Sequence, residues 1–288
     1  MRKNIAVSIV ALIIQKPKIL LLIVPLLVLG YLYEIFIARP TMFYMGTPQA
    51  ISSSLSTWTH IVRNDDFAIG YNILRGNPLW VSYRLTQIPK NAPRLKRPDA
   101  FKSDWRSFNA LDSDDYTHSG YDRGHMAPNY AISTLYGKAS QEDTFLMSNI
   151  TPQKPNLNRK LWQRLEMVEA DYFTKVFDSV WVVTGPIFDS DITRLKSSFK
   201  VQIPDGFFKI YIGLKGNQSP KALAFIMPQN VTGHEPLTKY IATVDEVEQQ
   251  SGFDFFVMLD DRLENAIESS KDIEPWRLKS LANIQSKY

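Results

Sequence analysis

Between residues 158 and 177 apolar positions recur at intervals of three and four, and Leu161, Leu165, Val168 and Tyr172 would share one face of a helix. Elsewhere the period shortens. Residues 79–86 (LWVSYRLT) predict a strand, and residues 143–150 (DTFLMSNI) a second one that stops at Thr151-Pro152. An apolar strand run at 180–184 ends at Gly185-Pro186, and 207–214 and 222–227 predict two further strands. Residues 237–250 read as a helix, with Gly252 just past its end as the stop signal. Strands and helices mix without βαβ alternation, which favours an α+β fold over a doubly wound sheet.

One segment has no polar face. Residues 19–37 (ILLLIVPLLVLGYLYEIFI) carry a single charge, Glu34, close to their end. At about 1.5 Å per residue they reach roughly 28 Å, about the thickness of a bilayer's hydrocarbon core. Pro25 and Gly30 are tolerated in such helices, whereas a soluble helix is rarely apolar all round. Hydropathy thus predicts a transmembrane anchor over 19–38, preceded by a cytoplasmic segment, 1–18. No small-x-small cleavage site follows the run, so an uncleaved anchor is favoured over a signal peptide. Arg2, Lys3, Lys16 and Lys18 precede the span and only Arg39 closely follows it. That bias puts the N-terminus in the cytoplasm and the remainder outside it. The Arg-poor start favours a bacterial membrane over the mitochondrial inner membrane. Residues 5–14 are apolar too, but ten residues are too few to cross alone. Residues 39–60, with Pro, Gly, Ser and Thr and no clear period, read as a linker or a packed arm. Nothing after residue 61 divides the chain, which makes 61–288 one domain.

Charge changes the picture by its location. The net charge of +4 is carried by residues 1–40, which hold five basic side chains and one acid, leaving 28 of each sign in 41–288. Affinity for a polyanion must therefore come from a local patch. One such patch runs from Arg84 to Arg106, where Arg84, Lys90, Arg94, Lys96, Arg97, Lys102 and Arg106 face only Asp99 and Asp104. The absence of cysteine excludes disulfides, zinc–thiolate sites and cysteine nucleophiles.

The densest chemistry lies in Tyr121-Asp122-Arg123-Gly124-His125-Met126-Ala127-Pro128-Asn129. Histidine titrates nearest neutral pH and suits taking a proton from water. Arginine offers a planar fork of donors that matches phosphate oxygens. A four-residue string alone is equally consistent with a solvated loop histidine. Downstream come Ser148-Asn149-Ile150-Thr151-Pro152-Gln153, then Asn158, Trp162 and Glu166.

Together these blocks (D-R-G-H-x-A-P, T-F-x-x-S-N-x-x-P-Q, N-x-x-x-W-x-x-x-E) resemble the DNA/RNA non-specific endonucleases, the ββα-metal or His–metal-finger nucleases. The resemblance covers about residues 70–259, where Val183-Thr184-Gly185-Pro186 and the stretch from Glu248 also look family-like. It implies a mixed, mainly antiparallel sheet flanked by helices around a ββα-metal core. It implies hydrolysis of DNA and RNA to 5′-phosphate ends, with Mg²⁺ as cofactor and Mn²⁺ as the alternative ion. By the same resemblance His125 is the general base, Asn158 the single protein ligand of the ion, and Glu166 the holder of a metal-bound water. Arg123 grips the scissile phosphate, Asn149 fixes the loop carrying His125, and Arg97 is the best match to a further phosphate-binding arginine.

Plainer readings stand beside these. Asn158 could cap its helix, Glu166 could be a surface carboxylate, and Trp162 reads as core packing rather than a base-stacking platform. Where many relatives carry an arginine one turn after the glutamate, this chain has Ala170. His60, His118 and His234 lack metal-spaced partners and read as structural or solvent-facing. The competing functions are a catalytically silent nuclease fold that binds nucleic acid or a partner, and a phosphodiesterase acting on other phosphate esters.

Overall fold

The computed structural model describes residues 16, 18 and 20–285. The proposed cytoplasmic segment 1–18, apart from Lys16 and Lys18, and the apolar run 5–14 lie outside these residues. The chain divides into two compact units, Met1–Thr41 and Met42–Tyr288.

In the first unit, Leu20–Tyr33 is α-helical and runs on through a wide turn, Glu34–Ala38, and a tight one, Arg39–Met42. Within residues 21–42 an 18-residue window reaches a mean hydropathy of 2.3, and nothing in that window is buried. Leu21, Leu26 and Phe36 all stand about two-thirds or more exposed. Glu34, the one acid of the apolar run, lies 3.5 Å from Arg39.

The second unit is built on strands. In chain order they are β1 (Gln49–Ala50), β2 (His60–Arg63), β3 (Phe67–Asn72), β4 (Asn77–Leu85), β5 (Asp122–His125) and β6 (Ile150–Gln153). There follow β7 (Ser179–Ile187), β8 (Arg194–Leu195), β9 (Ser198–Gln202), β10 (Gly206–Leu214), β11 (Lys221–Pro228), β12 (Ile241–Ala242) and β13 (Phe253–Asp254). Seven of them form the central sheet in the order β12-β11-β10-β7-β4-β3-β2. Every pairing in it is antiparallel. The expectation of a mixed sheet is corrected here: the parallel contact among the described residues is an isolated bridge, Lys102 to Leu146.

Alternation along the strands gives the sheet two buried faces. On β10, Phe207 and Tyr211 join a core with Tyr83, Leu161, Leu165 and Val168, beneath the helix that spans 157–176. Phe208, Ile210 and Ile212 point the other way, into a core with Val244, Val247, Phe255 and Ile267. Phe43 packs in this second core and β1 pairs with β13, so residues 42–60 belong to the compact unit.

Several predicted elements shift. The strand expected at 143–150 begins only at Ile150. Lys138–Thr144 is helical and Met147–Asn149 is a tight turn, because Asn149 is tied down by side-chain bonds that a strand could not make. The helix expected at 237–250 is interrupted: Ile241–Ala242 adds an edge strand to β11, and the helix proper is Val244–Ser251. Thr243 caps it in a reciprocal box with Glu246, a start signal inside the supposed helix. Strand β7 runs through Gly185-Pro186 rather than stopping there. A Cβ at Gly185 would lie 2.1 Å from the Leu79 carbonyl oxygen, so this glycine permits a close approach between chains.

Candidate active site

Strand β5 carries the Asp122-Arg123-Gly124-His125 string and pairs with β6 in the register Asp122↔Gln153, Gly124↔Thr151, His125↔Ile150. The chain then enters the helix at 157–176, which completes a two-strand ribbon followed by a helix. Gly124 lets the ribbon close, since a Cβ there would meet Oε1 of buried Gln153 at 2.2 Å and its Cγ at 2.6 Å.

The His125 ring sits between Phe145 and Phe101, with centroids 4.9 and 5.4 Å away. Its Nε2 is buried without a hydrogen-bond partner. Burial disfavours the imidazolium and the nearby Arg97 charge adds to that, so the pKa falls to about 3. The ring is therefore neutral at ordinary pH. Asn149 is fully buried behind it. Its Oδ1 accepts from Ala127 N at 2.9 Å, and its Nδ2 donates to the carbonyls of Ala127 and Thr144, both at 3.0 Å. These bonds clamp the chain two residues beyond His125, and Asn149 is not among the residues that line the cleft.

Asn158 lies in a wide-turned stretch, Leu157–Trp162, that leads into the α-helix Gln163–Val168. A wider turn rotates less per residue, and interruptions of this kind gather at functional sites. Asn158 Nδ2 donates to Asp122 Oδ2 at 3.1 Å. A carboxylate only accepts, so this contact fixes which end of the amide faces Asp122 and leaves Oδ1 for the cleft. The same carboxylate takes a two-pronged bond from Arg159, at 2.6 and 2.7 Å. Glu166 is half-buried, and its pKa rises to about 8; burial is the chief cause, opposed by Lys209 and reinforced by Glu169.

His125, Arg123, Asn158, Glu166 and Arg97 line one cavity of about 470 Å³, within the usual size range of ligand sites. Arg123 also donates to the Ser113 carbonyl and, at 3.2 Å, to the Thr117 hydroxyl. Of the seven basic residues between 84 and 106, only Arg94 and Arg97 reach the cavity. Arg106 is spent on Asp104, Asn64 and the Arg63 carbonyl. Ala170 is buried in the core and supplies no charge.

Two features escape sequence reasoning. Asp122 orients both Asn158 and Arg159, although it stands inside the motif itself. Beneath the cleft helix, Lys209 and Glu169 are fully buried 3.1 Å apart, and Tyr83 and Tyr211 donate to Glu169 at 2.8 and 2.7 Å. The signal for that pair was a lone charge, Lys209, inside the apolar run of β10. Trp162 is buried edge-on against Phe207, 5.7 Å away, as core packing requires.

The family model for DNA/RNA non-specific endonuclease matches residues 41–262. The chain belongs to the DNA/RNA non-specific endonuclease family. A nuclease from Serratia marcescens is 30% identical over 243 residues, covering 80% of this chain and 86% of that protein. The mitochondrial nuclease EXOG of Xenopus laevis is 32% identical over 208 residues, 67% of this chain but only 57% of EXOG. Among solved structures, a chain of an EndoG/EndoGI complex superposes with a TM-score of 0.63 at 25% identity, covering 71% of this chain and 89% of that one. Membership of this family supports an endonuclease activity that hydrolyses phosphodiester bonds.

Proposed function

We propose that this chain is a membrane-anchored, divalent-metal-dependent endonuclease that cleaves DNA and RNA without sequence preference and leaves 5′-phosphate ends. The observation that carries the reading is the convergence of an unprotonated His125, Arg123, the Asn158 amide oxygen and Glu166 on one cleft. Of these, the Asn158 amide oxygen and the Glu166 carboxylate are hard oxygen donors, few in number, and suit an ion such as Mg²⁺ that keeps much of its water shell; Mn²⁺ is the alternative. Asn158 would hold the ion and Glu166 one of its waters, and the bound ion would supply charge stabilisation to the phosphate and the leaving oxygen.

The chain's own side chains account for the remaining steps. Arg123, with Arg97 and Arg94, receives the phosphate oxygens and fixes the diester in the cleft without touching base edges, which gives affinity without sequence readout. His125 takes the proton of the attacking water. Its low pKa keeps it proton-free beforehand, and the arriving negative phosphate raises its proton affinity when the transfer occurs. Asn149 keeps the ring aimed by holding Ala127.

The anchor is the apolar segment of residues 19–38, and the exposed helix that covers residues 21–38 supports this reading. Basic residues ahead of it support a cytoplasmic N-terminus and a catalytic domain outside the cytoplasm, at a bacterial membrane in preference to the mitochondrial inner membrane.

The test is cleavage of supercoiled plasmid and of structured RNA by the full chain in detergent, with and without EDTA. Both substrates should be cut, EDTA should stop both reactions, and His125→Ala should be slower by at least about 10²-fold while remaining folded. Near-normal turnover by a folded His125→Ala protein would remove the base. Cutting that survives EDTA would remove the ion, and tight DNA binding without any cutting would indicate a silent nuclease fold.

A further inference from the structure

On the face of the sheet away from the cleft, helix Val244–Ser251 packs beside helix Asp261–Glu268. Asp245 and Glu248 on the first and Glu268 at the end of the second bring one carboxylate oxygen each to within 4.8 Å of one another. Asp254 and Glu264 add negative charge close by. Acidic groups gathered on a surface are common and need no ligand. Here one of the three is not on the surface: Glu268 is 94% buried, and its Oε1 has no hydrogen-bond partner. A buried carboxyl group with an unpartnered oxygen, beside two other carboxyl groups, is a costly arrangement unless something positive completes it. Among the described residues none of the five carboxylates is in a salt bridge, and Lys271, just beyond the second helix, is engaged with Glu246.

We propose that Asp245, Glu248 and Glu268 form a second cation site, separate from the cleft, that takes a calcium ion and ties the two helices together. All-oxygen, carboxylate-rich donor sets are those of hard divalent ions, and a site without a rigid cage favours the larger, geometrically tolerant Ca²⁺ over Mg²⁺. Glu248 also accepts from Phe255 N at 2.9 Å, next to β13, and β13 pairs with β1 of the arm. An ion here therefore fastens the corner to which residues 49–50 attach. With three protein carboxylates and one of them exposed, the affinity belongs with the weaker calcium modules, Kd on the order of 10⁻⁴–10⁻³ M. Without an ion the cluster relieves its repulsion by holding protons: burial and the neighbouring carboxylates push Glu268 up to about 9 and Glu248 to about 7.

The inference stands apart from the nuclease reading, and its test removes the cleft's contribution. The full chain carrying Asn158→Ala is melted in EDTA and then in CaCl₂ at a concentration about thirtyfold above the Kd; its Tm should rise by roughly 4–8 °C. The rise should vanish when Glu268→Gln, Glu248→Gln or Asp245→Asn is added. In EDTA, Glu268→Gln should melt at or above its parent, since the amide is neutral without having to hold a proton, and this confirms that it folds. Calorimetric titration with CaCl₂ should follow the same pattern. A calcium response that persists in the Glu268→Gln and Glu248→Gln proteins, or no response in their parent, overturns the proposal and leaves the cluster as a set of shared protons.

Discussion

A carboxyl group held out of water resists ionisation, and at Glu166 this converts a site residue into a stability sensor. In the ion-free protein its pKa lies at about 8, against 4.5 for an unhindered glutamate. Between those values the folded state holds a proton that the unfolded chain has released, so this group's contribution to stability falls as pH rises from about 4.5 to 8 and is level above that. Glu166→Gln should therefore stabilise the protein in EDTA, barely at pH 5 and most at pH 8.5; melting curves at the two pH values check this, and an equal gain at both would refute it. Asn149→Ala poses a different residue-scale question. It leaves the Ala127 N–H and carbonyl and the Thr144 carbonyl without their partner, and each stranded buried group costs about 1–3 kcal/mol. A loss of at least about 2 kcal/mol in urea unfolding, together with a lower kcat, is expected. At this scale the sequence revealed side chains whose chemistry is local to a string, such as His125, Arg123 and Asn158. It hid partners that arrive from elsewhere in the chain, namely Phe101 and Phe145 around the imidazole.

Elements were legible where one periodicity governed the whole segment. The cleft helix showed its apolar stripe at 161, 165, 168 and 172, and β10 and β11 appeared as apolar runs within a residue of their bounds. Legibility failed where a side chain overrode the pattern, at Asn149, which bends the expected strand into a turn, and at Thr243, which restarts a helix after an edge strand. Strands β2 and β3 carry too little alternation to stand out, because β3 is buried on both faces. The apolar interface between cleft helix and sheet also contains the buried Lys209–Glu169 pair, a contact no periodicity encodes. Its two ends should be strongly coupled. Lys209→Met strands a buried carboxylate with only two tyrosines, and should cost about 3–5 kcal/mol. Adding Glu169→Gln removes the uncompensated charge and should restore much of that stability. Chemical denaturation of the two single variants and the double variant gives the coupling energy; simple additivity would mean that the pair does not act as a unit.

At the scale of the molecule, hydropathy and chemistry bear on the same question from opposite ends of the chain. An apolar helix whose large side chains are mostly exposed between residues 21 and 37 supports a membrane anchor, and the charge bias around it favours leaving the N-terminus in the cytoplasm. On the proposed reading, a cleft lined by Arg94, Arg97 and Arg123 would grip phosphates without reading base edges, and on the cytoplasmic side it would face the cell's own chromosome. Both arguments favour display of residues 41–288 on the far side of the membrane, where the substrate would be nucleic acid that reaches the surface from outside. Hydropathy alone would fit a cleaved leader as well, so the span must also be shown to persist in the mature protein. Expressed in a bacterium with a tag at Tyr288, the protein should stay in the membrane fraction through a carbonate wash at its full length of 288 residues. Protease added to intact spheroplasts should then digest the catalytic domain and spare a cytoplasmic marker. A tag protected until the membrane is opened would reverse the orientation and call for an inhibitor or a second crossing within residues 5–14. A tagged product that is soluble and shortened by about forty residues would make the apolar helix a leader rather than an anchor.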